Sequence, residues 1–242
     1  MRLEWVIEPK DVAKVKELVR RSKNDRLVQR RCQRNLGQPR PKVSRATAWK
    51  VMVGCLLTTQ QKSGPGKPIN RFLNVKPFPL PYDSCRGHAE LEKHVLRTLS
   101  AFGGIRRSKT IAKQLATNLR SLEGGQWSAL LAEAKRVDAG SDFKVERSAA
   151  RYIARTFAGF GPKQSRNFLQ WLGVSKYEIP IDSRITKWLN RELLAFRLNA
   201  TLLADAEYYD MVSDAVIKLC GIADVTPCIF DAAVFSSFDR EG

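Results

Sequence analysis

The sequence has no hydrophobic run that approaches the roughly 20 apolar residues needed to span a bilayer. Residues 1–11 mix charged with apolar side chains and lack the continuous apolar core of a secretory signal. We therefore expect no membrane association and an intracellular location, in the cytoplasm and nucleoid or, in a eukaryote, in the nucleus. At 242 residues the chain has room for one large domain or two small ones, each with its own core.

Cysteine and histidine are scarce and irregularly spaced. The chain has five cysteines and two histidines, and no pair of cysteines is separated by only two residues. Because zinc fingers and iron–sulfur clusters need closely spaced ligands, the sequence predicts no metal and no other cofactor. Free thiols in a reducing compartment are the better interpretation of these cysteines.

Acidic residues are few beside the basic ones. Lys and Arg number 42 against 24 Asp and Glu, which gives a net charge of +18. A surplus of this size attracts polyanions, because each neutralised phosphate releases condensed counterions, so we expect nucleic acid as the partner. The basic face that runs from Lys14 towards Arg34 either follows phosphates or is a solvated helix surface, and the sequence favours neither.

Alternation of apolar and polar residues, which marks a half-buried strand, is also missing. Apolar residues recur instead at helical spacing. Residues 46–57 predict a buried helix, which leads into a polar loop rich in Gly and Pro over residues 58–68. Glycine pairs at 103–104 and 124–125 mark further breaks. The predicted fold class is all-α.

Residues 146–173 have the pattern of a helix–hairpin–helix. Two apolar helical faces flank a Gly-Phe-Gly-Pro turn that contains Gly159 and Gly161. Glycine permits positive φ or close approach of the backbone, and proline suits the first turn of the second helix. The exposed N–H groups of such a turn and the dipole of the second helix suit a phosphate and read no base. A Gly-x-Gly turn is weak evidence by itself, because glycine joins many helix pairs.

Two ionisable residues stand at predicted helix starts. Lys163 directly follows the hairpin proline, and Asp182 ends the segment Ile-Pro-Ile-Asp. The proline holds the residue before it extended, and helical spacing resumes after Asp182, which predicts Asp182 as an N-cap. A lysine and a carboxylate fixed at two helix starts can converge on one site. Taken alone, however, such a lysine is a solvated charge and such an aspartate only a cap.

Together these features resemble the helix–hairpin–helix DNA glycosylase superfamily, in particular the compact 8-oxoguanine DNA glycosylase/AP lyases. The family pattern is Gly-hydrophobic-Gly, a lysine two positions later, and Val/Ile-Pro-x-Asp. It is matched here by GFGPK and IPID, with 19 residues from Lys163 to Asp182. The resemblance covers about residues 44–240. It implies that a damaged base is extruded from duplex DNA, that Lys163 forms a Schiff base assisted by Asp182, and that β-elimination then cuts the strand.

The resemblance also implies roles for residues that contact DNA and the base. The segment that ends at Gln60 is similar to the one that fills the gap left by the extruded base, although Gln60 could merely bond a loop. The final helix is similar to the one that lines the base pocket, which implies that Asp231 reads the base and that Phe235 stacks on it, unless Phe235 is plain core. A carboxylate at 231 departs from the human-type pattern and leaves the lesion open. The predicted DNA-binding residues are Gln60, Lys62, Arg106, Gly159, Gly161 and Arg184.

By the same resemblance, residues 42–175 form a six-helix domain that contains the hairpin. Residues 1–41 and 176–242 form a second helical domain, and the two flank a DNA-binding cleft. We expect a monomer that acts on double-stranded DNA containing a damaged base, with 8-oxoguanine as the leading lesion and oxidised pyrimidines next. Two alternatives stay open. One is a monofunctional glycosylase for other lesions, in which Lys163 is incidental, and the other is a non-catalytic helical module that binds nucleic acid.

Overall fold

The computed structural model describes residues 4–61, 64, 66–139 and 142–240. Within these residues the chain forms helices and no β-strand, which confirms the predicted all-α class. The α-helices of the described chain are α1 (Pro9–Ser22), α2 (Arg26–Asn35), α3 (Arg45–Leu57), α4 (Pro68–Asn74), α5 (Tyr82–Arg86), α6 (Leu91–Phe102), α7 (Ser108–Ser121), α8 (Trp127–Ala139), α9 (Phe143–Thr156), α10 (Pro162–Leu172), α11 (Ser183–Glu192), α12 (Ala206–Ile222) and α13 (Pro227–Arg240).

The helix breaks fall where the sequence places glycine pairs. Gly103, with φ of +76°, follows the last residue of α6. A π-helical turn, Leu122–Gln126, separates α7 from α8 and contains Gly125 with φ of +119°. Side chains other than glycine rarely adopt such φ values, so these positions end or bend the helices as predicted.

Buried hydrophobic residues form two main clusters. The first draws its members from residues 48–174 and includes both helices of the hairpin. The second draws its members from residues 179–234, together with Val15 of α1. Lys163 therefore stands on a helix that packs into the first cluster, and Asp182 directly follows a segment that packs into the second.

The two ends of the chain pack together. Both α1 and α2 contact α13, and Val28 of α2 lies with Ala232 and Ala233 of α13 in a small buried cluster of its own. The basic N-terminal segment is thus anchored by an apolar face.

No single helix of the described residues is long and apolar enough to cross a membrane. One bent pair, Ala206–Ile222 with Pro227–Phe238, passes by length and composition, but its members meet at 99°.

Candidate active site

The hairpin turn between α9 and α10 requires glycine at one position and leaves open space at another. Gly159 has φ of +83°, and a Cβ there would lie 2.6 Å from atoms of both Leu56 and Gln114. Gly161, the N-cap of α10, has extended backbone with φ of −101°, and a Cβ there would meet no atom within 4 Å. The expectation of positive φ or close approach therefore applies to Gly159. At Gly161 the absent side chain leaves the backbone exposed.

Two features hold this turn in place. The side-chain amide of Asn118 donates to the carbonyl of Ala158 at 3.0 Å and accepts from the N–H of Ala158 at 2.7 Å. Phe160, at the tip, is buried against Phe157 and Phe168. The turn thus has a fixed backbone and an outward-facing glycine at the start of α10.

Lys163 is half-buried in the first turn of α10, beside the end of α3. Its positive charge acts on the Cys55 thiol, whose pKa is raised because burial outweighs this attraction. The amide of Gln164 donates to Thr59 Oγ1 at 2.7 Å, and the amide of Asn167 donates to Gln164 Oε1 at 3.1 Å. The motifs in the sequence did not point to these two buried amides. Their signal was a pair of polar residues three positions apart on a helix that is otherwise buried.

Asp182 is the N-cap of α11, as the sequence predicts. Its Oδ1 accepts hydrogen bonds from the N–H groups of Arg184 at 2.9 Å and Ile185 at 3.2 Å. These bonds orient the carboxylate at a helix start, and the side chain stays partly exposed. The Asp182 charge also contributes to the raised pKa of the buried Asp231 carboxyl group.

The segment that leads to Asp182 is fastened along its length by two buried side chains. The Glu146 carboxylate of α9 accepts from the N–H groups of Lys176, Tyr177 and Glu178 at 2.7–2.8 Å. Burial raises the pKa of Glu146 to about 7. The three N–H groups oppose this rise, and the neighbouring Glu178 charge adds to it.

Tyr209 of α12 fastens the residues immediately before Asp182. Its hydroxyl accepts from the N–H of Ile181 at 2.6 Å and donates to the carbonyl of Ile179 at 2.9 Å. Because Tyr209 is fully buried, this contact holds the backbone of the segment firmly.

Arg166 joins the start of α10 to the same segment. Its buried guanidinium donates to the Pro162 carbonyl at 3.0 Å, to Asp210 at 2.5 Å and to Glu178, and it lies 4.4 Å from the centre of the Tyr209 ring. One side chain therefore links the residue before Lys163 with the residues that position Asp182. No local pattern in the sequence pointed to Arg166, since its partners are 12 and 44 positions away.

The two residues predicted for the base pocket lie on α13. The half-buried Phe235 ring has the Arg184 guanidinium carbon 3.6 Å from its centre, so the structure brings these two predicted residues together. Asp231 is buried, and its Oδ2 accepts from Arg31 Nη1 of α2 at 2.8 Å. Burial raises the pKa of Asp231, while Arg31 opposes the rise. Nothing in the sequence pattern indicated Arg31 as the partner of Asp231, and base contact by Asp231 stays a prediction.

This ion pair also bears on the basic N-terminal face. Arg31 of α2 is buried. It therefore neither follows phosphates nor belongs to a solvated helix surface, which are the two interpretations of that face.

Gln60 and Arg106 lie together on two adjoining loops. Gln60 is exposed, has φ of +57°, and accepts from the Arg106 side chain through its carbonyl at 3.3 Å. The backbone N–H of Arg106 donates to the side chain of Gln61 at 2.6 Å. Lys62, the remaining predicted DNA contact, lies outside the described residues.

The architecture is similar to that of the 8-oxoguanine DNA glycosylase of Thermotoga maritima. The two structures match over 93% of each chain with a TM-score of 0.63 and 17% sequence identity. No family model and no curated protein matches the sequence. The chain thus shares the fold of that protein.

Proposed function

We propose that this protein is a DNA glycosylase with AP lyase activity, which removes an oxidised base from duplex DNA, 8-oxoguanine foremost. One observation carries the proposal: a lysine and a carboxylate stand at two helix starts on the fold of an 8-oxoguanine DNA glycosylase, and Arg166 bonds both Pro162 before the lysine and Glu178 in the segment that leads to the carboxylate. The sequence motifs GFGPK and IPID coincide with these two helix starts, which supports reading them as one site.

In the proposed reaction, the amine of Lys163 in its neutral form attacks C1′ of the extruded nucleotide, and the bond to the base breaks. The base leaves with the bonding electrons and takes up a proton, while the attacking amine loses one. Asp182 stabilises the positive charge that builds on the sugar. The sugar ring then opens as its oxygen leaves C1′ and takes up a proton, which gives a Schiff base.

Strand cleavage follows from the Schiff base. Loss of a proton from C2′ expels the 3′ phosphate by β-elimination, and water hydrolyses the imine to release Lys163. No oxidant, reductant or metal is needed for any of these steps.

We further propose that the DNA lies between the elements of the two hydrophobic clusters and that the protein acts as a monomer. Gly159 and Gly161 would present backbone N–H groups to a phosphate, with Arg106, Arg184 and Lys62 contributing charge. Gln60, which is exposed, would fill the gap left by the extruded base. Phe235 and Asp231 would contact that base, which requires Arg184 to leave the face of the Phe235 ring that it covers.

Base release from duplexes containing 8-oxoguanine, thymine glycol or no lesion tests the proposal. Asp182→Asn should lower base release by about 10²-fold or more, because the amide cannot stabilise positive charge on the sugar. Asp205→Asn is the matched control, since Asp205 is likewise an N-cap, on α12, and accepts from Tyr208 N–H at 2.8 Å. Asparagine caps helices as well as aspartate does, so both variants should fold.

Each outcome of this assay has a distinct meaning. Equal rates for Asp182→Asn and wild type would reduce Asp182 to a helix cap and refute the mechanism. Base release with strand cleavage only after alkali would identify a monofunctional glycosylase. Binding of these duplexes without base release would identify a non-catalytic module.

A further inference from the structure

A cavity of about 300 Å³ lies at the far end of α3 and α10 from the candidate active site. Lys50 and Val51 in the first half of α3 line it, as does Trp171 in the last turn of α10. Lys163 precedes Trp171 by eight residues, which is about 12 Å along a helix. The cavity is therefore separate from the site assigned to DNA chemistry, and a volume in this range suits a small ligand or one or two side chains.

The described residues that line the cavity carry positive charge and no compensating carboxylate. Arg34 Nε is buried without a hydrogen-bond partner, and Arg34 Nη1 makes only a 3.4 Å contact to the Trp171 carbonyl. Burial, with Arg31 and Arg30 nearby, lowers the pKa of Arg34 to about 10. Lys42 and Lys50 add two further charges, and no Asp or Glu of the described chain lines the cavity. A partly desolvated guanidinium in this setting favours an anionic ligand.

The apolar residues that line the cavity indicate what the uncharged part of the ligand is. Val51, Leu73 and Trp171 present half-buried apolar surface, and the Trp171 ring is held against Gly54, where a Cβ would come within 2.6 Å of it. A flat or branched apolar group therefore finds a fixed surface to pack on.

The side chains of the described lining residues offer hydrogen-bond donors but no free acceptor. Thr47 is the lining residue with a hydroxyl, and its Oγ1 already accepts from the Ser44 N–H at 2.7 Å and donates to the Ser44 carbonyl at 3.0 Å. A nucleobase edge carries donors for which these side chains offer no acceptor. A carboxylate beside an apolar group needs donors alone and matches the lining.

We propose that this cavity binds an apolar group that carries a carboxylate, supplied either by a peptide or by a small carboxylic acid. Arg34 receives the carboxylate, Lys50 and Lys42 attract it, and Trp171 with Leu73 packs the apolar part. The proposal is independent of the glycosylase assignment, since no residue of the candidate active site takes part.

Isothermal titration of the full chain at low ionic strength tests this site. The probes are acetyl-Asp-Leu-Phe with a free carboxylate, acetyl-Ala-Leu-Phe-amide, 3-phenylpropionate and dAMP. The acidic tripeptide or 3-phenylpropionate should bind, and the uncharged peptide should bind at least about tenfold more weakly than the acidic one, a difference of about 1.4 kcal/mol. Tighter binding of the tripeptide assigns the site to peptides, and equal or tighter binding of 3-phenylpropionate assigns it to small acids.

Binding measurements on variants test whether the probes bind in this cavity. Arg34→Gln should lower the affinity for the acidic probe by about tenfold. Arg30 is an exposed arginine of the same helix. The Arg30→Gln and Lys163→Ala variants should therefore bind the acidic probe with an affinity within about twofold of that of wild type. Lys50→Glu, at an exposed position that does not endanger folding, should weaken binding as well. Any of four results would overturn the proposal. These are equal binding of the two peptides, unchanged binding in both Arg34→Gln and Lys50→Glu, tighter binding of dAMP, and no binding of either acid.

Discussion

At the scale of single residues, the two hairpin glycines differ in what they require. Gly159→Ala places a methyl group 2.6 Å from Leu56 and Gln114 and forces a side chain into φ of +83°. We expect a loss of about 2–4 kcal/mol in the free energy of unfolding. Gly161→Ala meets open space at ordinary φ, so its loss should stay within about 1 kcal/mol, the difference between these residues at an N-cap. Urea unfolding of the two variants measures this contrast, and equal losses would contradict it.

The Tyr209 hydroxyl is a second residue with a specific expectation. Tyr209→Phe leaves the Ile181 N–H and the Ile179 carbonyl buried without their partner, which should cost about 1–3 kcal/mol of unfolding free energy. Because these groups lie directly before Asp182, base release should slow while affinity for duplex DNA stays the same. Tyr208→Phe, one residue earlier and partly buried, is the matched control. A Tyr209→Phe protein with wild-type stability would show that the two bonds contribute nothing.

At the scale of elements, local patterns were enough to predict the two helix starts at which Lys163 and Asp182 stand. Asp182 caps α11 through residues two and three positions ahead, and the hairpin turn depends on glycines and a proline within four positions. Such short-range relations are readable from a sequence. The ion pairs that hold these elements could not be predicted from the sequence, because Arg31 is 200 positions from Asp231 and Arg166 is 44 positions from Asp210. Helical spacing indicates which face is buried, but it does not say which distant charge an arginine will meet there.

The contact between α9 and the segment after α10 predicts a pH dependence. The pKa of Glu146 is about 7 in the folded protein, above its ordinary value of 4.5, so the folded state binds this proton more tightly than the unfolded state. Its contribution to stability is therefore complete below pH 4.5 and is lost as the pH rises towards 7, with a slope of at most about 1.4 kcal/mol per pH unit.

Unfolding free energies of wild type and Glu146→Gln, compared from pH 4.5 to 7.5, isolate this contribution. The amide does not titrate, so the difference between the two proteins should shrink as the pH rises. Other buried carboxyl groups, including Asp231, titrate in both proteins and cancel in the comparison. Parallel curves would show that Glu146 keeps an ordinary pKa in the fold.

At the scale of the whole molecule, the net charge and the fold are both consistent with the proposed DNA substrate. The net charge of +18 suits a polyanion, and the fold is that of a protein that acts on DNA in Thermotoga maritima. The all-α class followed from the absence of strand alternation and from the glycine breaks. The packing of α1 and α2 on α13 had no local signal, because it joins the two ends of the chain.

The central claim is that Lys163 forms a covalent imine with DNA, and borohydride trapping tests it most directly. Wild type incubated with duplex DNA carrying 8-oxoguanine or an abasic site should give a stable protein–DNA adduct on reduction. Lys163→Ala should give none, whereas Lys144→Ala, an exposed lysine at the start of α9, should give the wild-type amount. An adduct that persists in Lys163→Ala, or base release by wild type with no adduct, would contradict the claim.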